Sequence, residues 1–139
     1  MRRPAKEEAL RWLTQAKDEF DDAGELRKRG RFYLALFHFQ QAAEKALKAY
    51  LYLGAKSTEI FRLHSIGDHA EMAFDMDPDY EKVKNAKKLD KYYFITRYPN
   101  GLPGDVPSRF FDDPEEAEEA MRLAKIVVEL AERKINAST

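Results

Sequence analysis

Residues 36–51 read LFHFQQAAEKALKAYL, and they lie within a longer pattern that decides the fold. Apolar side chains recur there at alternating steps of four and three residues, which keeps one face of an α-helix apolar over several turns. Gly54 then ends the pattern, as glycine commonly ends helices. The stretch therefore predicts a long helix with one face in a hydrophobic core, formed by Phe32, Leu36, Phe39, Ala43, Ala46, Tyr50 and Leu53.

A polar ridge runs along the same predicted helix. Gln41, Lys45 and Lys48 are spaced by four and three residues, so they share one helix face, with Gln40 and Glu44 beside them. Two interpretations remain open. The ridge is either a solvated face, with Glu44 and Lys48 as a favourable i,i+4 pair, or one wall of a site that holds a ligand or a partner.

The flanking segments predict further helices on both sides of this one. An apolar stripe between Ala9 and Ala23 indicates a first helix over about 5–29, and Gly30 is suited to a left-handed turn after it. Such a tight joint predicts an antiparallel hairpin of the first two helices. Ser65 is a plausible N-cap for a short helix over about 65–75.

Two further helix starts are marked by proline. Asp77-Pro78 is expected to open a helix that runs to about Ile95, and Asp113-Pro114 opens the last helix, with Glu116 completing a capping box. The segment 97–113 between them holds three prolines and two glycines, so we expect an ordered, functional loop without helix there. The predicted fold class is all-α, an antiparallel up-and-down bundle of four long helices plus one short helix, in a single domain covering 1–139.

The composition excludes several kinds of function. The chain has 139 residues, no cysteine and a formal net charge of −1, so disulfides, catalytic thiols and Cys-based zinc sites are excluded and no global basic field draws it to nucleic acid. No apolar run approaches the length of a membrane span, and the N-terminus does not resemble a secretory signal. We expect a cytoplasmic protein with no membrane contact. The Lys/Glu/Arg richness is typical of thermophiles.

The histidines offer little metal chemistry. His64 and Asp68 are four residues apart and His69 follows, but no third ligand stands at a recognisable spacing. We therefore predict no metal and no cofactor. His64, before the predicted short helix, is instead a candidate for a hydrogen-bonded or catalytic histidine. The sequence shows neither a nucleophile motif nor a glycine-rich phosphate loop.

Residues 92–101, YYFITRYPNG, form the strongest candidate for binding. Arg97 lies between Tyr93 and Tyr98 in the sequence. This arrangement is suited to binding a phosphate through the arginine while an aromatic ring stacks on a base. The alternative is that both tyrosines pack in the core at a helix end while Arg97 caps carbonyl groups. The residues alone do not separate the two.

Several of these segments together resemble the HEPN family, named for higher eukaryotes and prokaryotes nucleotide binding. The resemblance covers about residues 7–135 and rests on EEALRWLTQAKDEFDDA, YLALFHFQQAAEKALKAYL, RLHSI and YYFITRYP, in that order. It implies an antiparallel helical bundle that pairs as a homodimer with a cleft near the interface. Many members are encoded beside a minimal nucleotidyltransferase, in toxin–antitoxin-like pairs.

Many HEPN domains are also metal-independent ribonucleases with an Arg-x(4–6)-His motif around the start of the last long helix. In this chain the matching arginine is Arg97, and Leu102, Pro103 and Gly104 occupy the positions where the histidine would stand. The pairs Arg31–His38 and Arg62–His69 have a permitted spacing, but they lie elsewhere, and such hits are expected by chance. The usual catalytic motif is therefore missing at its expected position.

Three hypotheses follow from the resemblance. The first is a non-catalytic HEPN protein that binds nucleotide or nucleic acid and acts with a minimal nucleotidyltransferase. The second is a ribonuclease with a divergent pair, Arg97 and His64, and the third is a purely structural interaction or dimerisation module. The candidate ligand-binding residues are Arg97, Tyr98, Tyr93, Gln41, Lys45, Lys48 and His64.

Overall fold

The computed structural model describes residues 4–54 and 65–138, and their secondary structure is helical. The elements are α1 (Ala5–Lys28), α2 (Phe32–Leu51), α3 (Ile66–Met76), a long 3₁₀ helix (Pro78–Lys91), α4 (Tyr92–Ile95), a 3₁₀ turn (Pro99–Gly101), α5 (Pro107–Phe110) and α6 (Pro114–Ala137). The predicted all-α bundle is confirmed. Its four long members are α1, α2, the continuous segment 78–95 and α6, and α3 is the short helix. Within the described ranges, no helix combines the length and apolar character that crossing a membrane requires.

The hairpin of α1 and α2 is closed by a left-handed glycine, as predicted. Gly30 has φ of 74°, a conformation that glycine adopts without steric cost. The amide of Arg31 donates to the carbonyl of Leu26 at 2.9 Å, which completes a Schellman-type end of α1. At the other end of the hairpin the rings of Trp12 and Tyr52 lie 5.5 Å apart. The two helices therefore run antiparallel from the turn at Gly30 to the contact of Trp12 with Tyr52.

α2 is the central helix of the bundle because α1, α3 and α6 all pack against it. Its buried residues consequently extend well beyond one stripe and include most of the helix between Ala35 and Leu51. Small residues line many of the contacts and let the helices approach closely. The fully buried alanines of the core are Ala9, Ala16, Ala23, Ala35, Ala42, Ala43, Ala46, Ala49, Ala73, Ala117, Ala124 and Ala131.

The third long segment begins with the 3₁₀ helix Pro78–Lys91, although an α-helix with about 3.6 residues per turn was expected there. Its buried side chains recur at every third residue, namely Tyr80, Val83, Ala86 and Leu89. A 3₁₀ helix has three residues per turn, so this spacing keeps all four on one face, whereas an α-helix would wind them around its axis. The predicted position of the helix is confirmed, and its type follows from the three-residue repeat.

Two predictions were wrong: that the segment 97–113 contains no helix, and that Glu116 completes a capping box at the start of α6. Short helical elements begin at Pro99 and Pro107, because proline at the first helical position lacks only an N–H that would be unpaired there anyway. At α6 the Asp113 carboxylate accepts from the amide of Glu115 at 2.9 Å. Glu116 does not close a capping box with it, since its carboxylate accepts from the Tyr92 hydroxyl at 2.7 Å.

The start of α3 agrees with its prediction. The Ser65 hydroxyl accepts from the amide of Asp68 at 3.0 Å, as an N-cap should. Asp90 of the long 3₁₀ helix adds a second cap, because its carboxylate accepts from the amides of Ile66 and Gly67 at 2.7 and 3.1 Å. This carboxylate ties α3 to the segment that leads into the candidate site.

Candidate functional site

An exposed arginine lies among three aromatic rings just after α4. The guanidinium carbon of Arg97 is 4.6 Å from the ring centroid of Tyr93, 4.8 Å from that of Phe37 and 5.0 Å from that of Tyr98. Its Nε donates to the carbonyl oxygen of Tyr93 at 2.8 Å. We call these four residues the Arg97 platform. Tyr93, Arg97 and Tyr98 are close together in the chain, and Phe37 comes from α2.

The platform has the features needed to bind an anion beside an aromatic group. Nε and the rings fix the guanidinium plane of Arg97, and among the described residues its two terminal nitrogens have no hydrogen-bond partner. A fixed guanidinium can donate two parallel hydrogen bonds to a phosphate. Tyr93 and Tyr98 are 41% and 44% exposed, which contradicts the alternative that they are core residues. Each ring is covered in part by the guanidinium, and the part of each tyrosine that remains exposed is where a base could stack.

Phe37 was missed by the sequence reasoning, although it stands inside the quoted stretch. It lies off the apolar stripe of α2 and is only half-buried. Its ring centroid is 6.4 Å from that of Tyr93 and 5.1 Å from that of His38. A large aromatic residue between core positions, but off their stripe, was the available signal. Phe37 joins the platform to the polar side of α2.

A buried carboxylate organises that polar side. Glu19 of α1 is 8% exposed, and it accepts from Lys45 Nζ at 2.5 Å and from His38 Nδ1 at 2.8 Å. Burial by itself would raise the pKa of Glu19, but the hydrogen bonds from His38 and Lys45 outweigh it and hold the pKa below its ordinary value. The carboxylate is therefore ionised at neutral pH and pairs α1 with two residues of α2.

The same contacts continue along α2 as a chain of hydrogen bonds. Lys45 Nζ also donates to the side-chain oxygen of Gln41 at 3.5 Å, and Gln41 Nε2 donates to the side-chain oxygen of Gln40 at 2.7 Å. We call Glu19, His38, Lys45, Gln41 and Gln40 the α1–α2 polar network. A pocket of about 390 Å³ opens beside it, lined by Gln15, Glu19, Asp22, Leu26, His38 and Lys45.

Much of the ridge on α2 is buried, so the interpretation as a solvated face is wrong. Gln40, Glu44 and Lys48 are 0%, 5% and 9% exposed, because α2 is the central helix of the bundle. Glu44 and Lys48 do form the expected i,i+4 pair, with Nζ and the carboxylate 3.5 Å apart. Lys48 Nζ also lies 5.7 Å from the ring centroid of Trp12.

The candidate residues thus fall into two groups. Arg97, Tyr93 and Tyr98 meet in the platform, whereas Gln41 and Lys45 belong to the α1–α2 polar network and Lys48 pairs with Glu44 beside it. The contact of the platform with α2 is at Phe37, one helical turn before Gln41 and two before Lys45. The prediction for His64 lies outside the described residues.

His69 and Asp68, two of the residues weighed for metal binding, lie in different surroundings. His69 is fully buried, whereas Asp68 of the same turn is exposed, so the two side chains do not converge. In the ranges that the structure describes, no group of three or more His, Asp or Glu side chains is arranged to hold a metal ion.

The fold and the platform together define an all-helical bundle that exposes a fixed arginine between aromatic rings. The HEPN domain model matches residues 9–134, and the chain therefore belongs to the HEPN family. The resemblance seen in the sequence is thereby confirmed.

Individual relatives agree with this assignment. A Methanocaldococcus jannaschii protein named "Putative toxin MJ1304" is 28% identical over 128 residues, an alignment that covers 86% of this chain and 82% of that protein. The crystal structure of TT1696 from Thermus thermophilus is similar with a TM-score of 0.75 and 32% identity, and covers 91% of this chain and 97% of its own. ST0689, described as an archaeal HEPN homologue, has a TM-score of 0.64 at 23% identity, covers 97% of this chain and 99% of its own, and supports the fold alone.

Proposed function

We propose that this HEPN protein binds a nucleotide or nucleic acid through the Arg97 platform and does so without catalysis. The observation that carries the proposal is the guanidinium of Arg97, held by the Tyr93 carbonyl at 2.8 Å and by three rings within 5.0 Å. The cost of ordering a long arginine side chain is met before a ligand arrives, which favours binding. A phosphate would accept from the terminal nitrogens of Arg97, and a base would stack on Tyr93 or Tyr98.

Gln41, Lys45, Lys48 and His64 complete the proposed ligand-binding set. The ammonium groups of Lys45 and Lys48 already pair with Glu19 and Glu44. A phosphate would therefore have to compete with a carboxylate at each lysine, and we expect both to contribute less to binding than Arg97 does. The neutral side chain of Gln41 would supply a hydrogen bond rather than charge.

The experiment that tests this proposal compares two arginines of equal charge. Arg97→Ala should weaken binding of a fluorescent adenine nucleotide at least about tenfold, since a hydrogen bond to a charged group is worth about 1.5–3 kcal/mol. Arg133→Ala is the control, because Arg133 is exposed near the far end of α6. Equal affinities for the Arg97→Ala variant and the unmodified protein would refute the proposed role of the platform.

We further infer that the chain acts in a two-component, toxin–antitoxin-like system with a minimal nucleotidyltransferase. The support is the similarity to the archaeal protein named as a toxin, together with family membership. A neighbouring nucleotidyltransferase gene, expressed together with this chain, should yield a complex that co-purifies. Separate elution of the two proteins in size-exclusion chromatography would argue against the partnership.

A homodimer is the proposed state of the free protein. The support is an exposed apolar surface around the platform and the following segment, with Phe94 43%, Val106 41% and Phe110 49% exposed. Apolar surface of this kind commonly packs against a second subunit. Light scattering should give a mass of about twice the 16.2 kDa of one chain, and a monomeric mass at micromolar concentration would contradict it.

A further inference from the structure

The long 3₁₀ helix exposes a row of lysines that the proposed function does not use. Lys82, Asn85, Lys88 and Lys91 follow one another at intervals of three residues, and all four are exposed. With three residues per turn they lie on one face, about 6 Å apart along the axis at a rise of about 2.0 Å per residue. We call this face the lysine stripe. Its regularity depends on the 3₁₀ geometry, because an α-helix would spread the same lysines around its circumference.

Two acidic residues of this segment, Glu81 and Asp90, lie on a different face and have partners of their own. Asp79 is in register with the stripe, three residues before it begins, and its carboxylate pairs with Lys134 of α6. Glu81 pairs with Lys84 at 2.8 Å, and the carboxylate of Asp90 caps α3. Neither carboxylate neutralises the lysine stripe. From Lys82 to Lys91 the stripe therefore holds only lysines and Asn85, on a chain whose formal net charge is −1.

Acidic residues of α6 also approach this part of the molecule, and they too are engaged. Glu119 forms a two-point pair with Arg122 at 2.7 and 3.0 Å and lies near Lys88. Glu116 accepts from the Tyr92 hydroxyl at 2.7 Å. The charge of Glu119 is thus balanced by Arg122, whereas Glu116, hydrogen-bonded to a neutral hydroxyl, leaves one negative charge against the three lysines of the stripe.

The stripe ends two residues before Tyr93 of the Arg97 platform in the chain. Lys91 is the last residue of the 3₁₀ helix, and its Nζ lies 5.1 Å from the ring centroid of Tyr92. Tyr93 of the platform is the next residue along the chain. A row of cations followed closely in the chain by an arginine with exposed aromatic rings offers both a surface for phosphates and a surface for stacking, the pairing that binds single strands without regard to sequence.

We propose that the lysine stripe binds the phosphate backbone of a single-stranded nucleic acid whose terminal or internal nucleotide occupies the Arg97 platform. This inference rests on the proposed function and deepens it, because it makes the ligand a strand rather than a mononucleotide. Each lysine that neutralises a phosphate releases counterions, so affinity for the strand falls with salt, by about 0.7 in the logarithmic slope per contact on single strands. A mononucleotide reaches the platform alone and gains nothing from the stripe.

The test compares neighbouring lysines on different faces. Lys88 belongs to the stripe, whereas Lys87 is exposed on another face, beside Gly67 of α3. Lys88→Gln and Lys87→Gln remove the same charge from adjacent positions. Binding of a fluorescein-labelled oligouridylate of about a dozen nucleotides, within the span of one such site, is measured over a range of salt concentrations beside binding of uridine monophosphate.

We expect Lys88→Gln to reduce the salt slope by about 0.7 and the triple variant Lys82→Gln/Lys88→Gln/Lys91→Gln to reduce it by about 2, with mononucleotide affinity unchanged. Lys87→Gln should leave the slope nearly as it was. Equal effects of the Lys87 and Lys88 variants, or an unchanged slope in the triple variant, would refute the proposed role of the lysine stripe. The proposed role of the Arg97 platform would not be affected. If neither probe binds the unmodified protein, the proposed function itself fails, and the stripe with it.

Discussion

The α1–α2 polar network and the Arg97 platform both place charged side chains against aromatic or apolar surface. They differ in whether the charged groups are paired inside the protein or exposed to solvent. In the network, Glu19 is 8% exposed and both of its oxygens accept from basic side chains of α2. In the platform, Arg97 is exposed and is held by rings and one carbonyl group. One region satisfies its charges internally, and the other leaves a donor group toward solvent.

This difference separates a role in stability from a role in binding. A buried carboxylate that loses its partners, or partners that lose their carboxylate, leave uncompensated charge where water is scarce. An exposed guanidinium has water as an alternative partner, so its interactions add little to stability. We therefore expect substitutions in the network to act on folding and substitutions in the platform to act on ligand affinity.

The largest expected effect is the loss of Glu19. Glu19→Ala removes the carboxylate that pairs with His38 and Lys45, and we expect it to lower the free energy of unfolding by about 3 kcal/mol, as breaking a buried ion pair does. Urea denaturation followed by circular dichroism measures this change. Asp18→Ala is the control, because Asp18 is exposed and should cost no more than about 0.5 kcal/mol. Similar costs for both variants would remove the distinction between the two regions.

An effect of intermediate size is expected at Phe37, which contacts both regions. Phe37→Leu keeps an apolar side chain on α2 but removes the ring that lies 4.8 Å from the Arg97 guanidinium. Nucleotide affinity should fall about fivefold, since a cation–π contact at an exposed site is worth about 0.5–1 kcal/mol. Fluorescence titration measures the affinity. A large loss of stability with unchanged affinity would assign Phe37 to the core instead of the platform.

The sequence predicts the helices well because each leaves a local record. Gly30 ends α1, Ser65 caps α3, and the apolar stripe of α2 predicts a long helix with one face in the core. It predicts the site only in part. Arg97, Tyr93 and Tyr98 are close in the chain and were grouped correctly, whereas the contact of Arg97 with Phe37 joins residues that no local pattern connects.

The failure of the solvated-face interpretation and the unforeseen partner of Lys45 have a common physical origin. The ridge on α2 looked solvated because a polar stripe on an isolated helix normally faces water, yet three other helices surround α2 and bury Gln40 and Glu44. The partner of Lys45 is likewise Glu19, a residue of another helix, 26 positions earlier in the chain. Burial and pairing between helices depend on tertiary packing, and a single sequence does not encode them as a spacing.

A smaller effect is expected from pH. The pKa of Glu19 is lowered in the folded state from an ordinary value of 4.5, so its contribution to stability is present above that value and is lost as the pH falls through the folded pKa. In Glu19→Gln this contribution is absent at every pH. Between about pH 5 and about pH 3, the free energy of unfolding should therefore fall less steeply in Glu19→Gln than in the unmodified protein. Parallel profiles would show that the carboxylate does not titrate as the network requires.

The smallest expected effect is that of Arg97 on stability, and it completes the contrast with Glu19. Arg97→Ala removes three ring contacts and one hydrogen bond, but all of them are at the surface, where water replaces the hydrogen bond. We expect the free energy of unfolding to change by no more than about 1 kcal/mol, although the same substitution should weaken nucleotide binding at least about tenfold. Thermal denaturation and nucleotide titration of one preparation measure both quantities. A destabilisation as large as that of Glu19→Ala would mean that the rings around Arg97 form a structural cluster, and that their exposure does not serve a ligand.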